Sequence, residues 1–349
     1  MEKVVVIDGS QGEGGGQILR TSVGLAAALG LNVKVTRIRA GRPKPGLRAQ
    51  HLAAVRAAAA ICGGRLEGDA IGAGELVFRA GAVQAGHYRF DIGTAGSTVL
   101  LVQTILPALM LADGESQVTV TGGTHNPMAP CFEYLRDVFG VLAAAANLQG
   151  YFELERPGFY PGGGGEIQVQ IRGIGQAANV APLRLASRGR LKYIDGVCLV
   201  SRSLPRHILR RQTQQALRRL QAAGHEGRIE QAACESHSPG TAVFLRAVFA
   251  RTVAGFSALG ARGKRAEQVA DEAVEALLAF LATDGHVDAH AADQLITIAA
   301  LCPQESRIVT ERVTDHLLTN AQVIRCITGR EVLIEGRSGE CGAVTIREA

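Results

Sequence analysis

The sequence has few aromatic residues and no tryptophan. Aromatic residues make up 4% of the 349 residues, whereas apolar residues make up 47% and glycine occurs 43 times. Alanine, valine, leucine and glycine must therefore build the core, which suits helices packed closely on sheets. The seven cysteines are scattered and include no Cys-x-x-Cys pair. This argues against a disulfide framework or a cysteine zinc site, and it predicts reduced thiols in a cytoplasmic protein.

Long apolar runs are missing as well. The longest, residues 99–112, is interrupted by Gln103, Thr104 and Pro107, and it is shorter than the roughly 20 residues of a membrane span. The chain starts on a strand pattern rather than on a signal peptide, so we expect no membrane contact. The net charge of +5 tolerates a polyanionic partner but does not demand one.

Strand and helix patterns alternate along the chain, which predicts an α/β fold, and one unit recurs three times. In each copy a glutamine opens an apolar helix, a strand follows, and a short polar junction leads to a second helix. The glutamines are Gln17, Gln103 and Gln294, the strands are residues 32–37, 117–121 and 307–310, and the second helices start near Pro45, Pro127 and His316. Chance similarity among α/β units is the alternative to three copies of one unit.

A region of different composition separates the second and third copies. Residues 183–278 hold less glycine and more arginine than the rest. We predict that they form an inserted small α/β domain, while residues 1–182 and 279–349 form one large domain. The arginines of its first helix, residues 205–222, are Arg206, Arg210, Arg211, Arg218 and Arg219. They form either a solvated helix face or a face that contacts RNA.

A glycine-rich loop joins the first predicted strand to the first helix. Residues 8–20 read Asp-Gly-Ser-Gln-Gly-Glu-Gly-Gly-Gly-Gln-Ile-Leu-Arg, which is neither a Walker P-loop nor Gly-x-Gly-x-x-Gly. Adjacent glycines at a helix N-terminus expose backbone N–H groups to an anion. Glu13 would repel that anion unless a cation sits between them, which makes it a candidate metal ligand. A tight structural turn with an exposed glutamate is the alternative.

Cations crowd the next strand-to-helix junction, residues 39–51. Pro43 and Pro45 stiffen this basic loop, and guanidinium groups that are held in place suit phosphate oxygens. A solvated basic loop is the alternative.

Four consecutive glycines, residues 162–165, follow Pro161. Such a glycine run either passes very close to another backbone or lines a ligand, and a flexible linker is the alternative.

One histidine falls at the predicted start of a helix within residues 314–320. We expect the helix dipole to lower the pKa of His316 and to leave a neutral imidazole with a free lone pair. Such an imidazole can attack the α-phosphorus of a nucleotide. Because Gln103 and Gln294 occupy equivalent helices of the repeat, these polar segments should face one cleft.

Together these segments resemble the RNA 3′-terminal phosphate cyclase family. The proline and glycine run within residues 156–167 is the most specific match, and other matches follow in the family's order at residues 8–20, 38–51, 91–103, 293–294 and 314–320. The resemblance is thinner in the inserted region. It implies three βαβαββ-like units that form one large domain, related to RNA cyclases and enolpyruvyl transferases, with a smaller inserted α/β domain.

The resemblance also implies an activity. The family converts an RNA 3′-phosphate end to a 2′,3′-cyclic phosphate with ATP, a ligase reaction that releases AMP and diphosphate. His316 matches the nucleophile that forms a covalent histidine-AMP, before the RNA 3′-phosphate takes the AMP and the vicinal 2′-OH displaces it. Glu13 would bind Mg²⁺ or Mn²⁺. The matches to ATP contacts are Gln103, Pro130, His290, Asp293 and Gln294. The matches to RNA-phosphate contacts are Arg20, Arg39, Arg42, Gln50 and His51.

Two other functions fit parts of this pattern. A catalytically silent cyclase-like protein of ribosome assembly would keep the fold but lose the histidine, which this chain retains. An enolpyruvyl transferase would need a different set of phosphate and carboxylate ligands and would form no adenylated histidine. A homodimer is compatible with the sequence, which does not specify one.

Overall fold

The computed structural model describes residues 3–348, which alternate between strands and helices. The strands are β1 (Val4–Asp8), β2 (Asn32–Thr36), β3 (Arg65–Glu67), β4 (Leu76–Arg79), β5 (His87–Asp91), β6 (Glu115–Gly122), β7 (Gln149–Arg156), β8 (Gly165–Arg172), β9 (Arg184–Leu185), β10 (Leu191–Ser201), β11 (Gly227–Cys234), β12 (Thr241–Phe249), β13 (Val253–Leu259), β14 (Ser306–Thr310), β15 (Val332–Glu335) and β16 (Gly342–Ile346). The helices are α1 (Gly16–Leu29), α2 (Ala49–Cys62), α3 (Thr98–Met110), α4 (Phe132–Tyr134), α5 (Gly140–Ala143), α6 (His207–Ala222), α7 (Ala266–Leu281), α8 (Ala289–Ala299) and α9 (Asp315–Thr328). A π-helical turn, Leu135–Phe139, joins α4 to α5.

Three of the sheets share one strand plan. Their strand orders are β1-β2-β4-β3, β5-β6-β8-β7 and β9-β14-β16-β15. In each sheet the first two strands pair in parallel and the remaining neighbours pair antiparallel. The helices that follow the first and second strands are α1 and α2, then α3 and the α4–α5 segment, then α8 and α9. The predicted α/β fold of three βαβαββ-like units is therefore confirmed.

The inserted unit lies inside the third repeat rather than before it. Strand β9 pairs in parallel with β14, with Leu185 opposite Ile308, so the third repeat has already begun at Arg184. A separate sheet, ordered β11-β10-β12-β13, follows with α6 and α7, and α7 runs to Leu281. The predicted insert, residues 183–278, therefore includes β9, which belongs to the third repeat, and it stops before the end of α7. A strand of two residues shows no alternation of apolar side chains, so periodicity could not reveal it.

Helices α6 and α7 pack together and share an apolar core with the inserted sheet. Carboxylates of α7 bind two of the arginines of α6. Arg211 lies 2.7 Å from Glu267, and Arg219 lies 3.3 Å from Asp271. These two side chains belong to a helix–helix contact, which favours the interpretation of a solvated helix face over that of an RNA-contacting face.

The helices of the three repeats meet at the centre of the large domain. Helix α1 contacts α3 and α9, and α8 contacts α9. Gly24 of α1 lies against the Thr104 carbonyl of α3, where any side chain would collide, so glycine permits this close crossing. The packing brings the first turns of α1, α2, α8 and α9 together. Across residues 3–348, no helix combines the length and the apolar content of a membrane span.

Candidate active site

The glycine loop between β1 and α1 presents one carboxylate to two other elements. Glu13 Oε1 accepts a hydrogen bond from Arg42 Nη2 at 2.9 Å, and Oε2 lies 3.0 Å from His316 Nε2. A side chain on Gly15 would occupy the space of this carboxylate. Glycine therefore lets the loop place Glu13 between the basic loop and the first turn of α9.

His316 stands in that first turn with its side chain 46% exposed. The hydrogen bond with Glu13 raises the pKa of His316; burial lowers it, and the charges of Glu13 and Asp293 raise it further. The expectation that the helix start would lower this pKa is therefore wrong for this structure. A carboxylate at hydrogen-bond distance outweighs the partial charge of a helix end.

Asp293 on α8 is tied to the start of the same helix. Its Oδ1 accepts a hydrogen bond from Thr314 Oγ1 at 2.6 Å, and that hydroxyl also caps α9 by accepting from Leu317 N at 2.9 Å. Burial raises the pKa of Asp293 to about 7, against the hydrogen bond of Thr314 and the charge of His316. Asp293 can therefore gain or lose a proton near neutral pH.

The other predicted ATP contacts lie on α3, α8 and the turn before α4. Gln103 Nε2 donates to Gln294 Oε1, which joins α3 to α8 across the cleft. His290 is exposed and meets Tyr134 edge-on, with 6.3 Å between ring centres. Pro130 is partly buried just before α4, the helix that carries Tyr134. Gln103 and Gln294 thus line one cleft among α1, α3 and α8, whereas His290 and Pro130 do not belong to its lining.

Basic side chains converge around the first turns of α1 and α2. Arg20 and His51 both lie against Gly16, where a side chain would collide with the imidazole. Burial, followed by the charges of three nearby arginines, lowers the pKa of His51 to about 3. These arginines are Arg20, Arg39 and Arg48. Burial and nearby positive charge both keep this histidine neutral, and the three arginines give its surroundings a positive potential that favours an anion.

Two of the predicted phosphate contacts are engaged by the protein itself. Gln50 Oε1 accepts a hydrogen bond from Ser97 N at 2.9 Å, so its amide is turned toward the start of α3. Arg39 Nη1 donates to the carbonyls of Lys44 at 2.8 Å and Gly46 at 2.9 Å. These contacts hold the basic loop and the loop before α3 in place beside the cations.

The glycine run packs tightly against other backbone. Gly163 lies against the backbone of Ala95, and Gly162 N donates to Ser238 Oγ of the inserted unit at 2.9 Å. The interpretation that the run passes close to another backbone is therefore confirmed, and the flexible-linker alternative is wrong.

A buried histidine and a buried carboxyl group support the segment that leads into this run. His125 Nε2 lies 2.8 Å from Glu133 Oε2, and His125 Nδ1 lies 2.8 Å from Thr124 Oγ1. The Thr124 hydroxyl in turn accepts a hydrogen bond from Gly158 N at 2.9 Å. The pair thus fixes the hydroxyl on which the glycine segment is anchored.

Sequence analysis assigned no role to two buried polar residues of α9. Thr319 Oγ1 accepts a hydrogen bond from Glu13 N at 3.3 Å, which ties the glycine loop to α9. Asn320 Nδ2 donates to the Asp293 carbonyl at 2.8 Å, which ties α9 to α8. Both follow His316 at helical spacing of three and four residues, and that spacing was the available signal.

Glu13 is the residue predicted to bind a metal ion. Within the described residues, no group of three or more histidine, cysteine, aspartate or glutamate side chains could hold a metal ion together. Magnesium in nucleotide sites commonly takes only one or two carboxylates, and substrate phosphates and water complete its shell. A single carboxylate beside an anion-binding cluster fits that pattern.

A family profile described as "RNA 3'-terminal phosphate cyclase" matches residues 11–334. A protein of that name from Methylococcus capsulatus is 43% identical over 349 residues, covering 98% of this chain and 95% of the relative. Another of that name, from Archaeoglobus fulgidus, is 40% identical over 335 residues, covering 95% and 98%. Among solved structures, the enolpyruvyl transferase NikO from Streptomyces tendae is 10% identical, with a TM-score of 0.41, covering 100% of this chain and 49% of that chain.

Proposed function

The chain belongs to the RNA 3′-terminal phosphate cyclase family, and we propose that it uses ATP to convert an RNA 3′-phosphate end to a 2′,3′-cyclic phosphate. The reaction is that of a ligase and releases AMP and diphosphate. It passes through AMP bound covalently to His316 and then through AMP bound to the RNA phosphate.

The contact between His316 and Glu13 is the observation that carries this proposal. It holds a half-exposed imidazole in the cleft, at 3.0 Å from the carboxylate. The charges of Asp293 and Arg20 both act on His316. The imidazole therefore lies between the predicted ATP contacts of α8 and the cations of α1 and α2, where a group could pass from one substrate to the other.

In the first step His316 Nε2 attacks the α-phosphorus of ATP. A nitrogen–phosphorus bond forms, the bond to the β-phosphate bridge breaks, and diphosphate leaves. The nitrogen needs its lone pair, so the proton that it shares with Glu13 must leave Nε2 first. Mg²⁺ or Mn²⁺ held by Glu13 would neutralise charge on the ATP phosphates.

The ATP contacts are assigned to residues of α3, α8 and the turn before α4. The amides of Gln103 and Gln294 can bind hydroxyl groups of a ribose, and Asp293 offers an acceptor beside them. The exposed ring of His290 and the nearby Pro130 offer apolar faces to the adenine.

The RNA contacts are assigned to the basic cluster. Arg42 contacts Glu13, Arg20 and His51 lie against Gly16, and Arg39 and Gln50 hold the neighbouring loops. An oxygen of the RNA 3′-phosphate attacks the phosphorus of the histidine-AMP and breaks the nitrogen–phosphorus bond. The 2′-oxygen then attacks the terminal phosphorus, and AMP leaves as the ring closes. Guanidinium groups stabilise the charge on both phosphates.

The decisive experiment is incubation of the protein with ATP labelled at the α-phosphate and a divalent metal. We expect label to remain on the wild type after denaturation and to be absent from His316→Ala. His207→Ala is a matched control, because His207 is an exposed histidine at the start of α6. Mass spectrometry should locate one added AMP on His316. A wild type that acquires no label contradicts the proposal.

The same experiment distinguishes the proposed function from both alternatives. A catalytically silent protein of ribosome assembly would take up no AMP, and neither would an enolpyruvyl transferase. Retention of the histidine at the start of α9 argues for the enzyme.

A further inference from the structure

Gln17 lies at the opening of α1, one helical turn before Arg20 and Thr21. It faces a cleft among α1, α3 and α8, which Gln103 and Gln294 line from the opposite side. The repeat therefore supplies one glutamine from each unit to this cleft. Two of the three are already assigned to ATP contacts, and Gln17 has no assigned role.

The Arg20 guanidinium depends on Gln17 for its orientation. Arg20 Nη2 donates to Gln17 Oε1 at 2.9 Å, and Nη1 lies against Gly16 beside the His51 ring. Within residues 3–348, no carboxylate oxygen lies within 4.0 Å of the Arg20 guanidinium. Arg20 is partly buried, and burial lowers its pKa to about 10, against the charge of Glu13, which leaves it charged at neutral pH. A partly buried cation without a direct ion pair favours the binding of an anion.

A series of hydrogen bonds fixes the Gln17 amide. Its Nε2 reaches Thr21 Oγ1 at 3.5 Å, and the Thr21 hydroxyl donates to Asn320 Oδ1 at 2.7 Å. Asn320 and Thr21 are buried, and Asn320 also binds the Asp293 carbonyl. The amide nitrogen is thereby directed away from Arg20 and the amide oxygen toward it. One guanidinium nitrogen is occupied, and the others remain available to a phosphate.

We propose that Gln17 is a positioning residue that aims Arg20 at the terminal phosphate of the RNA while leaving its positive charge unpaired. The inference rests on the proposed function, because it takes the ligand of Arg20 to be that phosphate. A neutral amide serves here where a carboxylate would not. Glutamate in this position would form an ion pair with Arg20 and compete with the phosphate.

The relative effects of two substitutions at Gln17 distinguish this role from a merely structural one. Glutamate has nearly the shape of glutamine and can accept the same hydrogen bond, so packing alone predicts that Gln17→Glu is mild and Gln17→Ala is worse. The proposed role predicts the reverse order for phosphate binding, because only glutamate cancels the charge of Arg20.

The test measures affinity for two fluorescent oligoribonucleotides, one ending in a 3′-phosphate and one in a 3′-hydroxyl. In the wild type we expect tighter binding of the phosphorylated end. Gln17→Glu should reduce that preference by at least about tenfold, the effect of losing one hydrogen bond to a charged group. Gln17→Ala should reduce it less. Gln221→Glu, an exposed position on α6, adds the same charge as a control and should leave the preference unchanged.

The possible outcomes test the role of Gln17 and the proposed function separately. If Gln17→Glu keeps the wild-type preference, or is milder than Gln17→Ala, the inference is wrong. If the wild type itself has no preference for the phosphate, the inference is wrong as well, since Arg20 then binds no terminal phosphate. If the preference depends on Gln17 but the wild type takes up no labelled AMP, the inference stands and the proposed function fails. If Gln17→Glu does not fold, Gln17→Met tests the positioning alone: it keeps the length of the side chain but loses the acceptor oxygen, so it should reduce the preference for the phosphate, and an unchanged preference would contradict the inference.

Discussion

The buried pair of His125 and Glu133 makes a quantitative prediction about stability. Their side chains are 0% and 8% exposed and lie 2.8 Å apart, and the pair holds the Thr124 hydroxyl that anchors the glycine segment. Replacing Glu133 by glutamine keeps the shape and an acceptor oxygen but removes the charge. The loss of folding stability in this variant should therefore report the electrostatic part of the interaction.

The magnitude follows from the pKa of Glu133. Burial would raise this pKa, but the charge and hydrogen bond of His125 outweigh burial and lower it from 4.5 to about 2. A carboxyl group with a lower pKa in the folded protein than in the unfolded chain stabilises the fold above its unfolded pKa. At 1.36 kcal/mol for each pKa unit, the stabilisation at neutral pH is about 3 kcal/mol. It should be lost as the pH falls from 4.5 toward 2.

Urea unfolding of the wild type and Glu133→Gln at several pH values from 7 to 3.5 measures this contribution. We expect a difference in the free energy of unfolding of about 3 kcal/mol at neutral pH, which narrows below pH 4.5. Glu267→Gln is the matched control. The pKa of Glu267 is also lowered to about 2, by a hydrogen bond from Arg211, but this pair is partly exposed to solvent.

Solvent screening should limit the loss in the Glu267→Gln control to less than about 1 kcal/mol. The reasoning would be refuted if the two variants lost the same free energy of unfolding. It would also be refuted if the difference in this free energy between the wild type and Glu133→Gln did not change with pH.

Three further predictions concern the basic cluster. Because the pKa of His51 is lowered to about 3, its ring resonances in NMR spectra should not shift between pH 8 and 5; titration near 6.5 would mean that the ring is neither buried nor close to the cations. Arg39→Ala releases the carbonyls of Lys44 and Gly46 and loosens the basic loop. It should slow AMP transfer to RNA more than it slows adenylation of His316, as followed in rapid-quench assays; the opposite order would place Arg39 on the ATP side. RNA affinity should also fall with rising salt.

Local patterns in the chain were enough to predict most of the architecture. Apolar periodicity and the three glutamine-headed helices predicted the repeated unit, because periodicity reports which face of each helix or strand is buried. Sequence motifs also identified Glu13 and His316, which the structure brings to 3.0 Å. The sequence also identified the glycine-rich loop, whereas the close approach of Gly15 to the Glu13 carboxylate is seen only in the structure.

Contacts between distant segments decided the remaining features, and a local pattern contains no information about them. The pKa of His316 rises because Glu13, from the opposite end of the chain, lies beside it, whereas the helix start alone would lower it. The membership of β9 in the third sheet depends on its pairing with β14 across the whole insert. The sequence showed Gln17 only as a repeated position. Its contact with Arg20 is significant because, in the folded protein, no carboxylate oxygen of the described residues lies within 4.0 Å of that guanidinium. Charge interactions act through space, so their sign and strength follow from the assembled cleft.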